Sequence, residues 1–312
     1  MENLIFSLNA TVPVFLMMVL GMVLKKIGWI HESFASQLNR FVFLVPLPVL
    51  LFQDIATVDF HKAWNFPFVA FCFVATLLSI TIAAFISCTL TQKSIRAEFV
   101  QVTYRSSAAL LGVALIQNIY GHSTMGPLMI IGSVPLYNIF AVIILSFGQS
   151  QKLDLQLLKK TCLGILTNPI IIGIIVGVIW SLCHLSMPVI LSKSVSYIAN
   201  TATPLGLIAM GASFELKKAI SQIKPACIAA FFKLIGFCAI FLPLAILFGF
   251  RNEELVAILV MLGSASTVTC FVMAKNMGYT GVLSSNVVML TTLLSGFTLT
   301  FWIWVLRILA FI

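Results

Sequence analysis

Three cations interrupt apolar stretches of this chain: Arg40, Arg105 and Lys233. An ionisable side chain inside a hydrocarbon layer marks a functional site by default, because its desolvation must be compensated. Arg105 has the richest surroundings. It follows Thr103-Tyr104, precedes Ser106-Ser107, and has Gly112 and Gln117-Asn118 beyond it. A second small, hydroxyl-rich run, Gly263-Ser264-Ala265-Ser266-Thr267-Val268-Thr269, lies in the later half. Such residues let helices approach closely and satisfy backbone groups where a helix breaks. A broken helix also presents N-terminal amides, which attract anions. Pro135-Leu136-Tyr137-Asn138 adds an amide that needs partners and a phenol that can supply one. The candidate substrate-binding residues are therefore Arg105, Ser106, Ser107, Tyr137, Asn138, Ser264, Ser266 and Thr267. Arg105 would supply the positive field, the hydroxyls would coordinate, and Tyr137 and Asn138 would shape the pocket. Two plainer readings compete. Small-residue runs also serve tight helix packing, and each cation stands roughly 10–12 Å from a segment end, part of which a long side chain can snorkel across.

The remaining chemistry is narrow. The carboxylates are Glu2, Glu32, Asp54, Asp59, Glu98, Asp154, Glu215, Glu253 and Glu254. All but Asp54 stand plainly at segment ends or in loops, and Asp54 is close to one. Cations within the membrane and almost no acids favour an anionic substrate over a cationic one. The histidines (His31, His61, His122, His184) fall near segment ends, and the cysteines have no metal-like spacing. No metal site and no cofactor are expected. No His is placed to serve Ser106 or Ser264 as a base, and no acid pair exists, so no catalytic residue is assigned and the chain is not expected to be an enzyme.

The elements that must position these residues follow from composition. Hydrophobic residues make up 61% of the chain and charged ones 9%, against roughly 25% charged in a soluble domain. Such a chain cannot cover a water-facing surface and is expected to be an integral membrane protein, with lipid as its surroundings. Ten apolar segments are each long enough to span a bilayer at about 20 residues: 6–25, 34–56, 65–90, 98–120, 125–147, 162–183, 190–213, 225–249, 254–276 and 282–309. The sequence also repeats itself at an offset of half its length. Thr11, Pro13, Gly21, Ser36, Pro48, Lys62 and Glu98 find identical residues in Thr167, Pro169, Gly177, Ser192, Pro204, Lys218 and Glu254, and Asp59 finds Glu215. Five segments per copy make the second copy enter from the opposite side, so two inverted five-helix repeats, 1–156 and 157–312, are expected.

Orientation follows from the loop cations. Lys25, Lys26, Lys93, Arg96, Lys152, Lys159, Lys160, Lys217, Lys218, Lys224 and Lys275 fall on one face, and Lys62, Lys193, Arg251 and Arg307 on the other. The richer face is expected to be cytoplasmic, with both termini extracytoplasmic. This bias accounts for the net charge of +9 without nucleic acid as a partner. The connector 149–161 (QSQKLDLQLLKKT) is expected to form a short amphipathic surface helix.

Three stretches carry a family resemblance: YRSSAALLGVALIQNIYG (104–121), PLYNIFAVIIL (135–145) and SASTVTCFVMAKNMGYTGVLSSNVVMLTTLLSGFTL (264–299). Through them the chain resembles the auxin efflux carrier family in its short bacterial form. The resemblance implies an all-α integral membrane fold of ten transmembrane helices. Segments 1, 2, 6 and 7 would form a scaffold, segments 3–5 and 8–10 a transport domain, and helices 4 and 9 would break and cross near the substrate. It further implies export or exchange of organic anions such as malate or malonate. The chain departs from the family at Ser107, where Asn is usual, and near Ala114 and Ala265, where prolines are usual.

The expected function is a secondary transporter, an efflux carrier or permease, moving a small organic anion such as a carboxylate across the cell membrane by elevator-like alternating access. Pro13, Pro48, Pro169 and Pro204 would bend the scaffold helices. The alternative is a sodium- or proton-coupled symporter or antiporter of the same architecture. A homodimer is the expected assembly.

Overall fold

The computed structural model describes residues 2–57, 65–108, 113–121, 123–148, 163–164, 166–183 and 185–312. The connector 149–161 with its expected helix, the loop carrying Asp59, His61 and Lys62, and residues Gly112, His122 and His184 lie outside the described residues.

Among the described residues the chain is all-helical, without strands. Five helices have the length and composition to cross a bilayer: Glu32–Ala56, Phe66–Leu90, Met125–Gly148, Ile223–Leu247 and Val282–Ile308. The other apolar segments are less regular. The sixth is a short helix, Pro169–Leu182. The seventh, Val189–Ala212, is long but carries Lys193 and many hydroxyls. The fourth and ninth are each interrupted. The fourth runs Arg96–Tyr104 and resumes at Val113–Tyr120. The ninth runs Asn252–Gly263 and resumes at Thr269–Asn276. Both therefore break without the prolines usual at those points, because extended backbone at Arg105 (ψ 136) and Ser264 (ψ 162) ends each first half.

The expected proline bends are realised unevenly. Pro13 and Pro204 lie inside continuous helices. Pro169 instead starts its helix, beneath an Asn168 cap whose side chain accepts from Ile170 N at 3.0 Å. The second segment is interrupted at Val45, ahead of Pro46 rather than at Pro48. Proline lacks the N–H that would continue the ladder, so the preceding residue leaves the helix.

Glycines bring backbones of the two halves together. Gly21 on the first segment faces the carbonyl of Ile208 on the seventh, and a Cβ at Gly21 would strike it. Gly177 on the sixth faces the carbonyl of Phe52 on the second, 3.0 Å from where a Cβ would stand. Gly21 and Gly177 are repeat partners at the sequence offset, and so are Phe52 and Ile208. One contact is thus made twice, once from each half. Glycine permits it because nothing projects from the helix surface.

The fourth and ninth segments also clamp each other's half. The buried carboxylate of Glu98, opening the fourth, accepts from Ser284 N at 2.8 Å, in the first turn of Val282–Ile308. Glu253, opening the ninth, accepts from Thr124 N at 2.6 Å and Met125 N at 2.8 Å, where Met125–Gly148 begins. A carboxylate at a helix N-terminus caps orphan amides and complements the dipole.

Candidate functional site

The two interruptions meet. Ser107 N donates to Ala265 O at 2.9 Å, joining break to break. Around this bond, Ser266 Oγ donates to Val102 O at 2.8 Å and Gln101 Nε2 to Cys270 O at 2.8 Å. Ser266 N donates to Thr291 Oγ1 at 3.0 Å. Ser106 Oγ donates to Met261 O, which also receives Tyr137 Oη at 3.0 Å. Backbone groups released by the two breaks are thus held by neighbouring hydroxyls and amides, as irregular backbone within a membrane requires.

Lys233 braces the same crossing from the eighth segment. Its Nζ donates to Leu262 O at 2.8 Å, to Tyr104 O at 3.3 Å and to Ser106 Oγ. Tyr104 is the last residue of the first half of segment 4, and Leu262 is next to last in that of segment 9. A lysine here sits at the negative ends of two helix dipoles. Three acceptors match the three N–H bonds of an ammonium. Lys233 reaches them from a π-helical turn, Phe232–Gly236, inside its helix; such bulges re-aim side chains.

Arg105 faces the other side. Only 2% of its surface is exposed, so it does not snorkel to water. Nη2 donates to Asn138 Oδ1 at 2.7 Å and Thr269 Oγ1 at 2.8 Å, and Nη1 to Met273 Sδ at 2.7 Å. Asn138 is oriented for this by donating its own amide to Val134 O at 2.9 Å. All of these acceptors are neutral. Nε has no partner, and no carboxylate forms an ion pair with Arg105 among the described residues. Arg40, by contrast, is exposed.

A cavity of about 60 Å³ opens beside the guanidinium. Arg105, Ser106, Ser107, Tyr137, Asn138 and Thr267 line it, so six of the eight sequence candidates come together. Ser264 and Ser266 do not line it. Ser266 holds the crossing, and Ser264 is buried with its hydroxyl unpartnered among the described residues. The expected free amides at the resumed ninth helix are also engaged. Cys270 N returns to Thr267 O, and Phe271 N and Val272 N to Val268 O. That helix can offer its dipole to the cavity rather than bare N–H groups. The start of the resumed fourth helix falls at 109–112, outside the described residues.

Sequence reasoning missed Asp54, Thr203 and Thr269, which also line the cavity. Thr269 closes the hydroxyl run that drew attention to Ser264 and Ser266. Thr203 directly precedes the repeated Pro204. Asp54 was legible only as the one carboxylate not plainly at a segment end. Among the described residues no cluster of three metal-ligating side chains occurs.

An all-helical chain with several spanning-length helices and a cavity bordered by a buried arginine where two interrupted ones meet has the build of a multi-pass membrane transporter. Residues 6–303 match the family model described as membrane transport protein, and the chain belongs to that family, the auxin efflux carrier family. A search among curated proteins returned no match.

Proposed function

We propose that this transporter moves a small organic anion, a carboxylate, across the cell membrane, bound at Arg105 in the cavity between the crossed helices. The observation that carries this reading is the guanidinium itself. It is buried, its partners are neutral, and its Nε has no partner. A buried charge left without a counter-ion is strongly destabilising, and a carboxylate supplies the missing charge in a geometry that guanidinium matches. The hydroxyls of Ser107, Thr203 and Thr267 add neutral donors around the same space.

The cavity also supports an elevator-like route. Leu50, Leu51 and Asp54 come from the second segment and Thr203 from the seventh, while the remaining lining comes from segments 4, 5 and 9. The first helix packs on the seventh and tenth segments, and the second packs on the sixth and seventh. The packing of segments 1 and 2 on 6 and 7 supports their grouping as a scaffold. Movement of segments 3–5 and 8–10 past that scaffold would expose the cavity to each side in turn. The inverted pairing of repeats 1–156 and 157–312, with extracytoplasmic termini, is part of this proposal and draws support from the repeated glycine contacts.

The test is purified protein in liposomes with labelled lactate, malonate and malate. Counterflow of at least one above empty vesicles is expected. No counterflow across that panel would overturn the reading.

A further inference from the structure

Among the described residues Asp54 is the one carboxylate lining the cavity. No hydrogen bond or ion pair joins it to Arg105 or to another described residue. The helices packed on its own offer it no inward charge. Pro169–Leu182 has no titratable side chain. Val189–Ala212 has Lys193 and Tyr197, both exposed. Glu32–Leu44 has Glu32 and Arg40, both exposed. The ionisable groups facing it are those across the cavity, Arg105 and Tyr137.

A carboxylate held at Arg105 therefore shares a small space with Asp54. If Asp54 is ionised the two repel each other. If it is protonated the repulsion vanishes and an O–H donor faces the substrate. At separations of several ångströms in a protein interior this favours binding to the protonated form on the order of tenfold or more. The coupling is reciprocal: the anion raises the proton affinity of Asp54 by the same factor.

We propose that Asp54 is the proton-coupling residue of this carrier, so that a carboxylate crosses together with one proton. This rests on the anion reading above. The proton is taken from water on the side where the cavity is open, resides on an Asp54 carboxylate oxygen, and leaves to water on the other side. Asp54 stands on the second segment, across the cavity from the broken helix that carries Arg105. The anion and the proton thus meet between the two bodies whose relative movement the cycle requires.

Two measurements test it. In proteoliposomes showing counterflow of lactate, malonate or malate, an alkaline interior should speed wild-type uptake about threefold or more, half a decade of the coupling above. In Asp54→Asn the ratio of uptake with and without the gradient should fall to about one, whatever the absolute rate, while Asp54→Glu keeps it above one. In weakly buffered detergent solution, saturating the wild-type protein with the same probe should take up about half a proton per carrier or more at the pH of largest uptake, read with a pH dye. Counterflow without gradient acceleration, binding without proton uptake, or a gradient response that survives in Asp54→Asn would overturn the proposal. If both variants fail to insert, the wild-type proton uptake decides. Absence of counterflow with every probe would sink the anion reading, and this inference with it. Preferred transport of zwitterionic glycine without proton uptake would also overturn it, giving Asp54 an ammonium to hold instead.

Discussion

Replacing Lys233 with methionine keeps the length and apolar stem of the side chain and removes its N–H bonds. Lys233 is fully buried and bonds Tyr104 O, Leu262 O and Ser106 Oγ. The variant leaves two carbonyls without their lysine donor in a space closed to water, at about 1–3 kcal/mol each. It also removes a cation from two helix C-termini, about 0.3–1 kcal/mol each. Against this, the desolvation of one ammonium no longer opposes folding, which returns part of the loss. The net expectation is a destabilisation of about 2–4 kcal/mol. At about 2–3 °C per kcal/mol for a larger domain, the midpoint should fall by about 5–10 °C. The assay is thermal unfolding in detergent, followed by size-exclusion chromatography of the surviving fraction. A midpoint within about 2 °C of wild type would refute the reasoning, since it would mean that the crossing does not depend on Lys233.

Arg105→Ala should abolish carboxylate counterflow. Arg105→Lys should restore it only in part, because an ammonium cannot reproduce the planar fork; transport by the alanine variant at wild-type rate would reduce Arg105 to a packing residue. Gly211→Val should destabilise the protein by about 1–3 kcal/mol, because even a Cβ at Gly211 would meet the Met18 carbonyl; a pulse-proteolysis half-life equal to wild type would count against this. Ser266→Ala should lower stability by about 1–2 kcal/mol through the unbonded Val102 carbonyl. In the protein that remains folded, substrate affinity should change far less than in Arg105→Ala, and a selective loss of affinity would place Ser266 on the substrate. Glu98→Gln should weaken the cap on the last helix by about 0.5–1 kcal/mol, read as faster hydrogen exchange at the Ser284 amide.

Much of the architecture could be read from the chain. Apolar stretches separated by charged loops announce helices in lipid, and the structure places helices on them. The offset matches include Pro13 with Pro169, Pro48 with Pro204 and Gly21 with Gly177, residues that shape backbone, and the Gly21–Ile208 and Gly177–Phe52 contacts recur at that offset. The breaks of segments 4 and 9 were legible through their hydroxyl-rich composition even though prolines are absent. The boundaries inside segment 2 were less legible: three residues around Val45, Pro46 and Pro48 could each mark the interruption, and the helix chose the residue before the first proline.

The site was read unevenly, and for one reason. Sequence gives how deep a side chain lies along a helix, while function depends on which way it faces and what stands opposite. Arg40, Arg105 and Lys233 are at similar depths, which sequence could see. Packing sends them to three different fates: Arg40 to the exposed surface, Lys233 through a π-turn onto two helix ends, Arg105 onto a cavity with no carboxylate paired to it among the described residues. Ser266 and Ser106 looked alike as hydroxyls near a break, yet Ser266 holds a carbonyl of the crossing while Ser106 also borders the cavity. Asp54 looked like a segment-end acid until segments 2, 4, 5, 7 and 9 were brought together around it. The sequence by itself determined that the chain lives in a membrane, folds as helices, and carries unneutralised cations within it, because these follow from transfer energies and periodicity along one chain. The tertiary structure alone decided which cation borders the cavity that Asp54 also lines, because that depends on contacts between residues distant in the chain, such as Arg105 with Asn138 and Thr269.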